Sequence, residues 1–132
     1  MTDALVVMNK FIEEFQTGGK EAVADELLAP DFVDHTPFPG FGPGRDDVKA
    51  LFAALRSAFP DLRGEVVEQF TDADRIATRK TFHGTHRGEF FGKPTTGRKV
   101  AIRVMDIVRV KDGKLAEHWN VVDVAGLWSQ LG

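Results

Sequence analysis

Val100-Ala-Ile-Arg-Val-Met-Asp-Ile-Val-Arg-Val-Lys-Asp-Gly-Lys-Leu-Ala-Glu-His-Trp-Asn-Val-Val-Asp123 is the stretch whose reading decides the fold. Val100 to Val110 is rich in β-branched residues and reads as a strand, Lys111-Asp-Gly113 as a turn, and Leu115 to Asp123 as the returning strand. With Lys111-Asp112 in a type I turn and Gly113 as a left-handed bulge residue, the loop has three residues and Val110 faces Lys114. Asp106 then lies opposite His118, and Asn120 opposite Val104. Alternation collects Val104, Asp106, Val108, Ala116, His118, Asn120 and Val122 on one face. Arg103, Met105, Ile107, Arg109, Leu115, Glu117, Trp119 and Val121 share the other. A two-residue type I′ turn at Asp112-Gly113 is the alternative; it sets His118 against Ile107 and disperses the polar group.

The strand's own arginines point away from Asp106. An ionised Asp106 therefore needs a partner from elsewhere in the chain, or it carries a raised pKa. Two readings stand side by side: Asp106 and His118 form a structural pair lining a core, or they are the acid/base groups of a pocket.

Upstream, Leu5, Met8, Ile12 and Phe15 recur at helical spacing behind Thr2 or Asp3 as cap, and Gly18-Gly19 stops the helix. Glu21 to Leu28 gives a second helix that ends before Pro30, and Phe32-Val-Asp-His35 a short strand. The segment Thr36-Pro-Phe-Pro-Gly-Phe-Gly-Pro-Gly44 is a stiff aromatic loop, either a pocket cover or a plain connector, leading into a third helix, Asp46 to Ala58. Glu65 to Phe70 and Arg75 to Phe82 flank Thr71-Asp-Ala-Asp74 as an antiparallel hairpin. Gly84 to Gly97 holds too many glycines for a continuous strand. Helices first and antiparallel strands after them define an α+β domain.

The 132 residues suit a single domain, 1–132, with one core. A formal charge of −3 without a basic run argues against nucleic acid as a partner and for a small molecule. The absence of cysteine excludes a disulfide framework, a thiolate nucleophile and a cysteine metal site, and fits a reducing compartment. The N-terminal residues turn charged before any long apolar run develops, so neither signal peptide nor membrane span is expected and the cytoplasm is the default location.

His35-Thr-Pro37, Phe59-Pro-Asp61, Gly84-Thr-His-Arg-Gly88, Pro94-Thr-Thr-Gly97, Arg109-Val-Lys-Asp-Gly-Lys114 and Glu117-His-Trp119 with Asp123 resemble, in order and spacing, the SnoaL-like polyketide cyclases of the nuclear-transport-factor-2-like superfamily. The resemblance covers nearly the whole chain. It implies a curved antiparallel sheet wrapped around the N-terminal helices as a cone with an apolar pocket, and a homodimer formed through the outer sheet face. The implied chemistry is a cofactor-independent, metal-free intramolecular aldol closure of a hydrophobic carbonyl compound. The family's acid/base aspartate falls on the residue after Glu117-His-Trp119, which here is Asn120. An amide cannot take up and return that proton, which leaves Asp106 as the carboxyl able to substitute.

The candidate catalytic residues are accordingly Asp106, His118 and Asn120, and the candidate substrate-binding residues are His35, His86, Phe15, Phe32, Phe52, Val104 and Val108. A metal site built from His35, His86, His118 and Asp106 has no compact ligand motif behind it, so no metal and no cofactor are expected. His83 and His86 have opposite strand parity, and His86 is the better pocket candidate. Trp119 and Trp128 read as packing groups. Three functions remain open: a cyclase or isomerase, an epoxide-hydrolase-like enzyme in which an aspartate activates water, and a noncatalytic binder of lipophilic molecules.

Overall fold

The computed structural model describes residues 3–132. Asp3 caps helix α1 (Ala4–Lys10), its carboxylate accepting from the Leu5 N–H at 2.9 Å; Thr2, the other candidate cap, lies outside the described residues. The helix then widens into a π-helical turn, Phe11–Thr17, before Gly19 leaves it at φ 71°. Helix α2 (Glu21–Leu27) runs directly into strand β1 (Leu28–Asp34), which is longer than Phe32 to His35. Helix α3 (Arg45–Ala58) precedes β2 (Arg63–Asp72), β3 (Arg75–Thr85), β4 (Lys99–Lys111) and β5 (Lys114–Val122). One element was not anticipated. Asp123, read as a strand end, is instead the cap of a final helix, α4 (Val124–Leu131), and accepts from the Gly126 N–H at 2.9 Å.

The strands form one curved, open sheet in the order β1-β5-β4-β3-β2. Strands β2 to β5 form the expected antiparallel run, whereas β1 joins β5 in parallel, so the sheet is mixed. Its concave face closes on the helices. Phe15, from the π-helical turn, packs between Phe11 and Phe52 with ring centroids 5.1 and 5.3 Å away.

The β4–β5 hairpin differs from the three-residue loop expected. Asp112 (φ 53°) and Gly113 (φ 74°) form a two-residue turn and Lys111 pairs with Lys114. Alone, that turn would send His118 to the outer face. A β-bulge at Ala116 adds one residue between the Val110–Leu115 and Arg109–Glu117 pairs and restores the parity. His118 therefore pairs with Val108 and Asn120 with Asp106, and Asp106, His118 and Asn120 share the concave face as expected. Leu115, assigned to the outer face by simple alternation, points inward and is 1% exposed.

Outward, the pairs Phe70–Ala77, Ala77–Ile107 and Ile107–Trp119 set one row across the four strands, beside a row of Glu68, Arg79, Met105 and Val121. Phe70, Met105, Ile107 and Val121 are exposed. The sheet's two edges are interrupted. β2 carries a bulge at Val67 between Glu65 and Glu68, and β1 contains Pro30 and gives its Asp34 N–H to the Pro43 carbonyl of the 35–44 loop at 2.8 Å.

Candidate active site

Between the concave sheet face and the helices lies a cavity of about 290 Å³. Phe11, Phe32, Phe52, Phe82, Val104 and Val108 contribute to its apolar walls, and Pro37, Phe38 and Pro39 of the 35–44 loop line it as well. The aromatic loop thus forms part of the pocket rather than serving as connector alone.

One wall is polar. Four strands each place a charged or titratable side chain there at an inward position: Lys80 from β3, Asp106 from β4, His118 from β5 and Asp34 from β1. Lys80 and His118 approach Asp106 from its two neighbouring strands, because their pairing partners are Val104 and Val108, two residues to either side of it. Asp34 is the parallel-strand partner of His118.

The contacts form a chain. Gln16 Oε1 accepts from Lys80 Nζ at 3.1 Å, and that ammonium stands 2.9 Å from Asp106 Oδ2 as an ion pair, approaching off the line of a hydrogen bond. His118 Nε2 lies 3.5 Å from the same oxygen, and its Nδ1 lies 3.1 Å from Asp34 Oδ1. Thr36 donates its N–H to Asp34 Oδ1 at 3.0 Å and its hydroxyl to Asn120 Oδ1 at 2.8 Å, while accepting the Asn120 N–H at 2.7 Å.

Burial and pairing compete at each titratable group. Burial pushes the Asp106 carboxyl up, but the Lys80 ammonium and His118 together hold it below the ordinary aspartate range. Asp34 is likewise opposed by burial and brought down by His118 and the Thr36 hydrogen bonds. For His118, burial favours the neutral ring, and the hydrogen bonds and charges of Asp106 and Asp34 outweigh it, so its pKa is raised. Asp106 has the external partner its strand could not supply, and it is not a raised-pKa carboxyl. His118 is the group on this wall whose pKa is raised.

Of the residues singled out in the sequence, Asp106, His118, Asn120, Phe32, Phe52, Val104 and Val108 line the cavity. His35, His86 and Phe15 do not. His35 is exposed on the outer face, stacked on Trp119 at 4.7 Å and 3.0 Å from Glu117 Oε1, because β1 ends at Asp34 and the next side chain points outward. His86 is fully buried against Phe59, and its Nδ1 accepts from the Thr96 N–H at 3.2 Å. Its backbone N–H donates to the Arg98 carbonyl and its own carbonyl accepts from Gly97, both at 2.8 Å, so it fastens the base of the 86–98 loop. Phe15 belongs to the core beneath the cavity. His35 and His86 are therefore not brought to His118 and Asp106. His83 sits on the outer face, 3.0 Å from Glu65.

Asp34, Lys80, Gln16 and Thr36 were missed. A signal existed for Lys80: in Ile76-Ala-Thr-Arg-Lys-Thr-Phe82 it holds the apolar parity of Ile76 and Phe82. Asp34 likewise shares the parity of Phe32.

A curved sheet cupping an apolar cavity with an acid/base cluster on its inner face defines the class of small-molecule-binding cone folds. Residues 6–131 match the family model of the SnoaL-like polyketide cyclases, and the chain belongs to that family. It is 26% identical over 137 aligned positions to the aklanonic acid methyl ester cyclase DnrD of Streptomyces peucetius, covering all of this chain and 92% of that protein. The nogalonic acid methyl ester cyclase of Streptomyces nogalater is 27% identical over 123 positions, covering 92% of this chain and 91% of its own. Among solved structures, IdmH from Streptomyces antibioticus superposes with a TM-score of 0.87 at 30% identity, covering 99% of each chain. No helix of the described residues is long and apolar enough to cross a membrane.

Proposed function

We propose that this protein is a cofactor-independent cyclase that closes a ring within a hydrophobic carbonyl compound, with His118 as its acid/base group. The observation that carries the reading is the His118 ring held between Asp34 and Asp106 on the polar wall of an apolar cavity. Asp34 accepts Nδ1–H and so selects the tautomer whose Nε2 lone pair is free. Nε2 is met by Asp106 only at 3.5 Å and is the atom that faces chemistry. The adjacent carboxylates make the neutral ring a stronger base.

The reaction balances with that one group. Nε2 takes a proton from a carbon beside a substrate carbonyl, the resulting enolate attacks a second carbonyl of the same molecule, and the imidazolium returns the proton to the new alkoxide. Asp106 stays ionised throughout and supports the imidazolium. Asn120, whose Oδ1 is held by Thr36 and whose amide nitrogen has no acceptor among the described residues, serves as donor to a substrate carbonyl rather than as the proton carrier. The exposed outer rows suit pairing of two copies into a homodimer.

The test uses the compounds named for the relatives, aklanonic acid methyl ester and nogalonic acid methyl ester. Wild type should convert at least one of them to a product of identical mass, and His118→Asn should lower turnover roughly 100-fold or more, the scale of a lost general acid/base. Undiminished turnover in His118→Asn refutes the assignment. A product heavier by one water supports hydrolase chemistry, and binding without conversion supports a noncatalytic carrier, the reading that Asn120 in the family's aspartate position favours.

A further inference from the structure

Gln16 is 6% exposed, lines the cavity, and has only half of its amide engaged. Its oxygen accepts from Lys80 Nζ, and its nitrogen has no acceptor among the described residues. The orientation is forced. Turning the amide over would set an NH2 group against an ammonium, donor against donor, so the contact with Lys80 directs the NH2 away from the polar wall. Lys80 cannot move aside, since it is 2% exposed and its charge is held by Asp106. The NH2 group keeps accessible surface in the cavity, so it is open to a ligand oxygen, and a hydrogen bond there favours a ligand that carries an acceptor.

We infer that Gln16 is a substrate-binding residue that donates its amide N–H to an oxygen of the ligand, and that Lys80 is the positioning residue that aims it. This rests on the reading of the cavity as a substrate pocket and adds a requirement to it. The polar chain begins at Gln16 and ends at Asn120, and each terminus is a primary amide with its oxygen occupied and its nitrogen unpaired. The ligand class this selects is an apolar ring compound carrying acceptor oxygens at two separate positions. One meets Asn120 and the other meets Gln16, with the reacting carbon between them beside His118. The widened π-helical turn that carries Gln16 also places Phe11 on the cavity and Phe15 in the core beneath it, so the donor sits on a firmly packed element.

The experiment measures binding of three probes of similar shape, naphthalene, 1-tetralone and 1,4-naphthoquinone, by calorimetry to wild type, Gln16→Leu and Gln16→Glu. Gln16→Glu keeps an acceptor for Lys80, and hence the fold, while presenting an acceptor where the ligand needs a donor. Wild type should favour the oxygenated probes over naphthalene. Both variants should bind naphthalene as wild type does and lose roughly 3- to 10-fold in affinity for 1,4-naphthoquinone, the range of one hydrogen bond. In 15N-labelled wild type, the side-chain NH2 signal absent from the Gln16→Leu spectrum should move downfield with the quinone and stay in place with naphthalene. Equal selectivity in wild type and both variants, with that signal unmoved, overturns the role of Gln16 and leaves the pocket reading intact. Failure of all three probes to bind wild type overturns both.

Discussion

Replacing Asp106 by asparagine is nearly isosteric and, judged from the strand alone, harmless to the fold. The structure predicts otherwise. The Lys80 and Asp106 side chains are 2% and 1% exposed, and the amide removes the only full negative charge beside the ammonium among the described residues, leaving it the Gln16 carbonyl. Breaking one side of a buried ion pair destabilises by about 3–5 kcal/mol, because the remaining charge stays out of water. For a chain of 132 residues that corresponds to a fall in Tm of roughly 10–20 °C. Removing both charges in Lys80→Met/Asp106→Leu should recover most of the loss, since apolar groups of similar volume fill the space without a desolvated ion. Urea titrations of wild type, Asp106→Leu, Lys80→Met and the double variant complete a thermodynamic cycle whose coupling term isolates the pair. If Asp106→Asn melts within about 3 °C of wild type, or the double variant is as unstable as the sum of the singles, the polar wall is not held together by this pair.

Stability should also fall on the alkaline side. His118 has a raised pKa in the folded chain, so its contribution is complete below the ordinary histidine value of about 6.5 and is lost as pH rises through the folded value. The lowered values of Asp34 and Asp106 act oppositely, their contribution being present above the ordinary aspartate range and lost as pH falls through the folded values. Denaturant midpoints followed across pH should show both slopes, and His118→Gln should abolish the alkaline one. For the outer face, sedimentation at micromolar concentration should give a dimer, and Met105→Glu, placing a charge beside exposed Ile107 and Val121, should give a monomer; a wild-type monomer under those conditions refutes the pairing.

The hairpin shows where the sequence is legible and where it stops. Asp106, His118 and Asn120 reach one face as expected, although by another route: a shorter turn and a bulge at Ala116 compensate each other. Asp-Gly marks a turn plainly, whereas a bulge is chosen by what the two strands bury, here Leu115 against the cavity. The partners of the cluster were hidden for a related reason. Asp34 meets His118 only through the parallel pairing of β1 with β5, and Lys80 meets Asp106 only once β3 lies beside β4. Alternation places a side chain on a face but does not say which strand becomes its neighbour. Helix α4, by contrast, carries a local signal, since Asp123 followed by Val124, Leu127 and Leu131 has the cap and spacing of a short amphipathic helix.

The interrupted edges of the sheet carry a consequence for behaviour in a crowded solution. Strand-by-strand recruitment of further chains needs a straight edge with free N–H and C=O groups, and neither edge offers one: Pro30 lacks the donor, Pro43 occupies Asp34, and the bulge at Val67 bends β2 between two glutamates. On the sheet, exposed Phe70, Met105, Ile107 and Val121 lie on its outer face instead. Two copies meeting there by a two-fold axis would cover each other's patch and close the assembly, whereas growth along an edge has no natural end. The chain can therefore carry exposed Phe70, Met105 and Val121 without the fibril-forming hazard that the same residues would bring on an open β-edge.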